Sequence, residues 1–459
     1  MMKAKWIIYK IAVIVMVLGW VQAWGQEYKS LAGTHHIVIS SPINQISVGE
    51  TITMNAISNK KYTDFVWSSE YPGIASVVNG KVIGLDKGKV LITAKAKGDS
   101  FEAAYLLTIT GPEDHESLPL TTEELYYNNP QFNRGEKYTN KGILLFPADV
   151  NEVPNWPSIA AKSGLNTIGI HPGGGHLEGI MEGTINWLKS DYGQLFLKNC
   201  RRYGIEVEYE IHAIKELLPR EMFNKYPTMF RMDKNGLRQQ EDNFCIHSKQ
   251  ALELLAKNVV AFAKIATPTT GRYYFWIDDG RHMCHPDIGD IYSDSDQALM
   301  MENYLLRELR KFDPRATIAH LTYANTSTPP KKIKPDNGVF LEFVPITRSY
   351  DMSYRNQSGD RSTQDNSGWV YLKQNLEIFP ANTAQILEYW TDVSLFSNWK
   401  RPFKELPWKK INKVLEDDVT FYREFGIPNF TSFGNGHDEN YLKNYGFKHI
   451  EEYSKALQD

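Results

Sequence analysis

The second part of the chain, from residue 121 to 459, alternates short apolar segments of strand length with longer segments of helical period. Eight segments have the composition of strands: Gly142 to Phe146, Thr167 to His171, Glu206 to His212, Tyr273 to Ile277, Thr317 to Tyr323, Val339 to Phe343, Ala384 to Trp390 and Asn429 to Phe433. Helical patterns lie between them, for example at 248–265, 295–312 and 408–425. Eight β-then-α units in a segment of this length predict an α/β fold, the (β/α)8 or TIM barrel.

An open, doubly wound sheet is the alternative that this alternation allows. That fold usually carries a glycine-rich phosphate-binding turn with the spacing Gly-x-Gly-x-x-Gly after its first strand. The glycine cluster of this chain, Gly173-Gly174-Gly175, lacks that spacing. The barrel is therefore the expected fold of residues 121–459.

An earlier segment, residues 35–111, contains short β-rich runs separated by turn signals such as Asn79-Gly80. This pattern predicts an all-β sandwich of about seven strands, with Trp67 filling the space between its sheets. The segment resembles a bacterial Ig-like domain of the second group through four short motifs: Val48-Gly49-Glu50, Trp67-Ser68-Ser69, Ala75-Ser76-Val77 and Gly84-Leu85-Asp86-Lys87-Gly88. We expect a spacer or platform, with a carbohydrate-binding module as the alternative. The polar stretch 112–120 is the expected linker.

The first 25 residues have the pattern of a secretory signal peptide. Lys3 and Lys5 precede an apolar run from Ile11 to Leu18, and Ala23-Trp24-Gly25 supplies small residues for cleavage. An uncleaved anchor is the alternative, but the apolar run is shorter than the ~20 residues that span a bilayer. We expect export to the periplasm, the cell surface or the medium, with no membrane insertion after cleavage.

Charge and cysteine content restrict the partners of the chain. A net charge of -3 provides no basic surface for nucleic acid. The chain has 11 Trp and 25 Tyr, which favours a sugar ligand weakly because aromatic faces stack on sugar rings. The three cysteines, Cys200, Cys245 and Cys284, are too few for a disulfide framework. No cofactor is expected.

Chemistry in a barrel is carried by residues that follow the strands. The fourth strand ends in Asp278-Asp279, and repulsion between adjacent carboxylates should raise the pKa of one of them, so that it can donate a proton. We therefore predict Asp278 and Asp279 as the catalytic pair.

The third strand places Glu206, Glu208, Glu210 and His212 on one face, because side chains alternate along a strand. Glu206 and Glu208 suit a structural ion-pair ladder, whereas Glu210 and His212, nearer the strand end, are predicted substrate contacts. Carboxylates beside a histidine also suggest a metal site, but no His-x-x-x-His or cysteine-rich spacing supports one, and none is expected.

Further predicted substrate contacts follow the later strands. Carboxylate, tyrosine and tryptophan side chains together are typical of a sugar subsite, where one group orients hydroxyls and a ring packs against the sugar. The residues concerned are Tyr323, Glu342, Arg348, Glu388, Trp390 and Asp392.

Several of these fragments together resemble a known family. They are Phe275-Trp276-Ile277-Asp278-Asp279-Gly280, Ser293-Asp294-Ser295-Asp296-Gln297-Ala298-Leu299, Phe340-Leu341-Glu342 and Leu387-Glu388-Tyr389-Trp390-Thr391-Asp392-Val393-Ser394. The chain from about Leu120 is similar to domain of unknown function 4838, now glycoside hydrolase family 163. The resemblance implies an endo-β-N-acetylglucosaminidase that cleaves the chitobiose core of complex N-glycans in Bacteroides-like bacteria.

The resemblance also implies a mechanism. The 2-acetamido oxygen of the substrate would attack the anomeric carbon, with Asp279 as general acid and then base, and Asp278 orienting the acetamido group. One departure is that many relatives carry a Cys-x-Cys-x-x-Cys cluster after the acid pair, whereas this chain has only Cys284 there. Two alternatives stay open at this stage. One is an inverting, α-glucuronidase-like enzyme with Glu342 or Glu388 as base and Arg348 binding the uronate; the other is a glycan-binding protein without activity.

Overall fold

The computed structural model describes residues 37–58, 63–99, 101–111, 139–173, 178–285, 291–357 and 369–458. The chain divides into two compact units, residues 1–117 and 118–459. The predicted signal peptide and linker fall outside the described residues. Among the helices of the described ranges, none combines the length and the apolar character needed to cross a bilayer.

The described part of the N-terminal unit consists of β-strands and their connections, as predicted. Its described strands are β1 Ile37–Ser40, β2 Gln45–Ser47, β3 Thr51–Thr53, β4 Asn55–Ser58, β5 Phe65–Ser69, β6 Ala75–Val78, β7 Lys81–Gly84, β8 Gly88–Ala96 and β9 Glu102–Thr110. They form sheets in the orders β1-β4, β2-β9-β8-β5 and β3-β7-β6. The sequence predicted about seven strands, and nine are described. Two of them, β2 and β3, have only three residues each, and β1 and β4 pair only with each other in a two-stranded sheet. The Ig-like identity stays a prediction.

The predicted turn at Asn79-Gly80 joins β6 to β7. Asn79 and Gly80 have φ angles of 49° and 79°, the left-handed values that a two-residue hairpin turn requires. A Cβ atom on Gly80 would lie 2.4 Å from the carbonyl oxygen of Met54, so this position also needs glycine for space. Trp67 packs against the buried core of the unit while staying partly exposed.

The C-terminal unit is a closed barrel of eight parallel strands, which confirms the predicted fold. The strands are β10 Lys141–Leu145, β11 Thr167–Ile170, β12 Glu206–His212, β13 Arg272–Trp276, β14 Thr317–Thr322, β15 Val339–Phe343, β16 Gln385–Glu388 and β17 Asn429–Phe433. β10 pairs with β17 and closes the barrel. Each strand was predicted within a few residues of its bounds. Most are short runs rich in apolar residues, as buried parallel strands usually are, whereas β12 alternates charged and apolar residues.

Helices surround the barrel. Their bounds are α1 Pro147–Glu152, α2 Trp156–Ser163, α3 Ile180–Lys189, α4 Asp191–Tyr203, α5 Ile214–Leu217, α6 Lys249–Ala263, α7 Asp294–Leu309, α8 Trp369–Leu376, α9 Val393–Phe396, α10 Trp408–Glu424, α11 Glu439–Tyr445 and α12 Lys448–Ala456. Serine caps begin α6 and α7: the Ser248 hydroxyl accepts from the Ala251 amide at 3.2 Å, and Ser293 forms a capping box with Asp296. The main apolar core lies between helices and strands, and a second cluster fills the barrel interior.

A buried polar network lies inside the barrel beneath the ends of its strands. The Glu208 carboxylate accepts hydrogen bonds from the Asn140 amide at 3.1 Å and the Tyr274 hydroxyl at 2.9 Å. It also forms an ion pair with Arg272 at 3.6 Å. Glu208 therefore has the structural role that its position early in the strand suggested.

Two buried histidines beside β17 make the stability of the barrel sensitive to acid. His437 Nδ1 donates to the Gly434 carbonyl at 2.6 Å, and the Nε2 atoms of His437 and His449 are 2.5 Å apart. Burial lowers the pKa of His437 to about 4 and that of His449 to about 2. An unfolded histidine titrates near 6.5, so the unfolded chain takes up these protons first as the pH falls. The stability is present above pH 6.5 and is lost as the pH falls toward 4.

We expect the stability advantage of the wild type over His437→Gln to shrink by about 2 kcal/mol between pH 7.5 and pH 5. Glutamine cannot take up the proton, so only the wild type incurs the cost. Urea unfolding followed by tryptophan fluorescence at both pH values measures the difference. An advantage that is equal at the two pH values would contradict this origin.

Candidate active site

A cleft of about 840 Å³ opens at the carboxyl-terminal ends of the barrel strands. Every strand contributes a side chain to its wall, at or just after the end of the strand. These residues, from β10 to β17, are Phe146, His171, His212, Trp276, Tyr323, Val344, Tyr389 and Phe433. Five of the eight are aromatic, so the cleft has apolar faces against which sugar rings can pack.

Asp279 lies in the cleft wall with an exposed carboxylate. The Tyr323 hydroxyl donates a hydrogen bond to it: burial, the negative charge of Asp279 and this bond together raise the pKa of Tyr323. Asp279 is thus held by a neutral hydroxyl at the end of the neighbouring strand, with its carboxylate accessible to a ligand. A carboxyl group in this position can exchange a proton with a bound substrate.

Asp278 lies outside the cleft lining among the described residues, although it precedes Asp279 directly. Its carboxylate is buried, forms an ion pair with Arg220 and accepts from the Lys215 amide at 2.9 Å. Its own amide donates to Asn243 at 2.9 Å. Burial raises the pKa of Asp278 while Arg220 opposes the rise, so the cause is desolvation and not the repulsion between neighbouring carboxylates that the sequence suggested. The structure therefore gives Asp278 the role of fixing the loop that carries Asp279.

Two histidines line the cleft, and a backbone carbonyl holds the Nδ1 atom of each. His171 Nδ1 lies 2.7 Å from the Glu210 carbonyl and His212 Nδ1 lies 2.7 Å from the Ile277 carbonyl. A carbonyl can only accept, so Nδ1 carries the hydrogen in both rings. Burial lowers the pKa of His171 to about 3, which keeps it neutral and makes its Nε2 an acceptor for hydroxyl or amide hydrogens. His171 was not predicted, although it directly follows the second barrel strand.

Asp392 provides a second carboxylate in the cleft wall. Its Oδ1 accepts from the Ser394 hydroxyl at 2.6 Å and from the Leu395 amide at 3.0 Å, which caps α9. Burial raises its pKa to about 6. Tyr389 connects it with Asp279: burial raises the pKa of Tyr389, and the charges of Asp392 and Asp279 both contribute. Both carboxylates therefore lie near Tyr389 in the cleft wall.

Trp399 lies at the rim of the cleft, and 67% of its surface is exposed. It and Asn398 have φ angles of 54° and 53°, a left-handed conformation that non-glycine residues rarely adopt. A strained backbone that presents an exposed indole at a cleft is typical of a ligand-binding position. No periodic signal marks this loop residue in the sequence, and it was not predicted.

Glu210 and Glu342 lie inside the barrel, below the cleft lining. Glu342 accepts from the Trp276 indole at 2.8 Å and from Gln385 at 3.1 Å. Burial raises its pKa to about 8, and burial together with the Glu342 charge raises that of Glu210 well above the ordinary range. Both predicted contacts therefore lie below the cleft, where Glu342 fixes the Trp276 ring.

Arg348, Glu388 and Trp390, all predicted substrate contacts, lie between the barrel and its helices. Arg348 pairs with Glu388 at 2.6 Å and with Asp418 of α10 at 2.7 Å. The Trp390 indole donates to Asp418 at 3.1 Å. Side chains alternate along β16, so Glu388 faces the helices when Leu387 and Tyr389 face the interior. The structure assigns these three residues to a buried ion cluster.

The arrangement combines one accessible carboxylate, a second buried one, the neutral histidine His171 and aromatic walls. Within the ranges that the structure describes, no three His, Cys, Asp or Glu side chains converge as metal ligands. Of the predicted site residues, Asp279, His212, Tyr323 and Asp392 are brought together in the cleft.

Comparison with known proteins gives a family and several structural neighbours. The model of a family described as domain of unknown function (DUF4838) matches residues 182–446. No curated protein matches the sequence.

The structural neighbours include a β-N-acetylhexosaminidase from Bacteroides fragilis, with 12% identity, a TM-score of 0.41 and coverage of 76% of this chain and 74% of that one. The GH20 modules of a pneumococcal exo-β-D-N-acetylglucosaminidase have 13% identity, a TM-score of 0.40 and coverage of 70% and 84%. A chitinase from Rhizomucor miehei has 11% identity, a TM-score of 0.38 and coverage of 68% and 99%.

Proposed function

The chain belongs to the family described as domain of unknown function 4838, and from this premise we propose that it is an exported glycoside hydrolase, an endo-β-N-acetylglucosaminidase that cleaves the chitobiose core of complex N-glycans. The resemblance to glycoside hydrolase family 163 supports the substrate class. The export follows from the signal-like first 25 residues. The N-terminal unit is then an Ig-like spacer.

One observation carries the proposal: an exposed carboxylate, Asp279, stands on the wall of an aromatic cleft at the strand ends of a barrel. Protonation of a glycosidic oxygen needs an accessible carboxyl group, and binding of a neutral glycan needs ring faces and uncharged hydrogen-bonding groups. The cleft offers both. Its neutral histidine His171 and its aromatic walls suit an uncharged sugar better than a uronate.

In the proposed mechanism the substrate supplies the nucleophile. Asp279 protonates the leaving oxygen as the acetamido oxygen bonds to the anomeric carbon and the glycosidic bond breaks. Asp279 then removes a proton from the water that opens the resulting ring, which retains the anomeric configuration. Asp392 takes the role that the sequence suggested for Asp278: it accepts from the acetamido N–H, because it lines the cleft and Asp278 does not.

The residues proposed for the inverting, uronate-cleaving alternative do not line the cleft. Arg348 was to bind the uronate and Glu388 to activate water, but these two side chains pair with each other beneath the helices. The remaining candidate base, Glu342, is fully buried below Trp276.

The test is incubation with glycoproteins that carry complex or high-mannose N-glycans, followed by mass spectrometry and NMR of the products. We expect intact complex glycans ending in a single N-acetylglucosamine, released first as the β-anomer. Release as the α-anomer would exclude participation of the acetamido group. No release from any glycoprotein, together with measurable glycan binding, would favour a binding protein instead.

Trp399 provides a separate test of the cleft as a glycan site. We expect Trp399→Ala to lower kcat/KM on the glycoprotein about tenfold, the effect of losing one ring contact of ~1.4 kcal/mol. A short chromogenic chitobioside should be affected less, since it does not reach the rim. Trp399→Phe should restore most of the loss, and an equal loss with both substrates would contradict a role at the rim.

A further inference from the structure

Two buried cysteines lie in contact behind the loop that carries Asp279. The Cys284 thiol donates to the sulfur of Cys245, and the two Sγ atoms are 3.1 Å apart. Both side chains are almost fully buried. They are 39 positions apart in the chain, so the fold and not the local sequence brings them together.

Backbone contacts on both sides hold this pair in place. Gln297 of α7 accepts from the Cys284 amide at 3.1 Å and donates to its carbonyl at 2.8 Å. The Cys245 amide donates to the Met229 carbonyl at 2.9 Å. The segment containing Cys245 also holds the Asp279 loop directly, because Asn243 donates to the Arg281 carbonyl at 2.9 Å. Little movement is therefore needed to join the two sulfurs.

We propose that Cys245 and Cys284 form a disulfide in the exported protein, which covalently ties the loop after Asp279 to the segment before α6. The oxidant is a small-molecule or protein disulfide of the oxidising compartment. The Cys245 thiolate attacks one sulfur of that donor, forming a mixed disulfide and releasing one thiolate. Cys284 loses its proton and attacks the Cys245 sulfur, which releases the second thiolate. The chain loses two hydrogens and the donor becomes two thiols.

The environment of the pair favours Cys245 as the first nucleophile. The hydrogen bond from Cys284 lowers the pKa of the Cys245 thiol to about 5 against the effect of burial, and Arg238 acts in the same direction. Burial in the folded chain restricts oxidants, so the exchange belongs to folding or to transient opening of this region. The third cysteine, Cys200, lies on α4 and stays a thiol. One disulfide is thus compatible with the odd count of cysteines, although no local motif pairs two of the three.

The experiment compares full-length protein refolded with oxidised and reduced glutathione with protein kept in dithiothreitol, both denatured and alkylated without reduction. We expect the oxidised sample to yield a cross-linked peptide pair containing Cys245 and Cys284, lighter by two hydrogens than the free peptides, and an alkylated Cys200. Reduction should lower the Tm of the barrel by about 3–6 °C, because a disulfide closing a loop of this length restricts the unfolded chain.

Variants separate the disulfide from other effects of reduction. Cys200→Ser should keep both the cross-linked peptide and the response of Tm to dithiothreitol, whereas Cys245→Ser and Cys284→Ser should lose both. If either serine variant fails to fold, the wild-type comparison decides alone. Alkylation of all three cysteines after the glutathione treatment, or a cross-link that includes Cys200, would overturn the proposal.

Discussion

The Asp279→Asn variant is expected to have a kcat on N-glycoproteins that is about 10²- to 10⁴-fold lower than that of the wild type, with an unchanged Tm. The amide keeps the shape of the side chain but cannot give a proton to the leaving oxygen. Because the Asp279 side chain is exposed in the cleft, its replacement disturbs no buried contact except the bond from Tyr323. Single-turnover and steady-state kcat, measured by mass spectrometry of released glycan, quantify the loss.

The choice of leaving group tests whether the loss arises from missing acid catalysis. An aryl chitobioside with a strongly acidic phenol departs without protonation, so the Asp279→Asn variant should lose much less turnover on this substrate than on the natural bond. Asp336→Asn is a matched control, since Asp336 is partly exposed, pairs with Arg307 and precedes β15 at the opposite end of the barrel. If the Asp279→Asn variant turned over the glycoprotein within tenfold of the wild-type rate, Asp279 would not be the general acid.

The strands of the barrel could be predicted because most of them are short runs rich in apolar residues, and β12 shows the alternation of a strand. The assignment of side chains to the cleft depended on finer information, namely which parity of each strand faces inward. On β12, the alternation of side chains places Glu210 and His212 on the inward face. On β16, the same alternation favours Tyr389, which lines the cleft, over its neighbours Glu388 and Trp390.

Other parts of the site depend on contacts that no local pattern encodes. Asp278 and Asp279 have separate roles because of Arg220, which lies 58 residues earlier in the chain. The Arg220 guanidinium pairs with the Asp278 carboxylate, whereas the Asp279 carboxylate faces the cleft. The indole of Trp399 reaches the rim through a left-handed backbone, which the sequence alone does not reveal. His171, by contrast, could have been found from its position directly after a strand.

The second large expected effect concerns the stability of the barrel, and it arises from the buried ion cluster of Arg348, Glu388 and Asp418. Arg348 is the cation that two buried carboxylates share: it lies 2.6 Å from Glu388 and 2.7 Å from Asp418, and all three side chains are fully or almost fully buried. The hydroxyls of Tyr350 and Tyr422 donate to Glu388 at 3.0 and 2.7 Å. Removing the cation alone leaves two negative charges in an apolar layer, whereas the hydroxyls can offset only part of that cost.

Arg348→Met should therefore lower the free energy of unfolding of the barrel by about 3–5 kcal/mol at neutral pH, and Glu388→Gln added to it should recover part of the loss.

The loss of stability in Arg348→Met should also depend on pH. Burial already raises the pKa of Asp418 to about 6 although Arg348 opposes the rise, so loss of the arginine moves it further upward. A folded carboxyl group with a raised pKa holds its proton at a pH where the unfolded chain has released it, and the resulting stability is lost as the pH rises. The deficit of Arg348→Met should thus be smaller at pH 5 than at pH 8 in urea unfolding. The folded fraction of Arg348→Met should keep the wild-type kcat/KM because Arg348 does not line the cleft. If Arg348→Met instead had normal stability but did not turn over substrate, Arg348 would have a role in the active site.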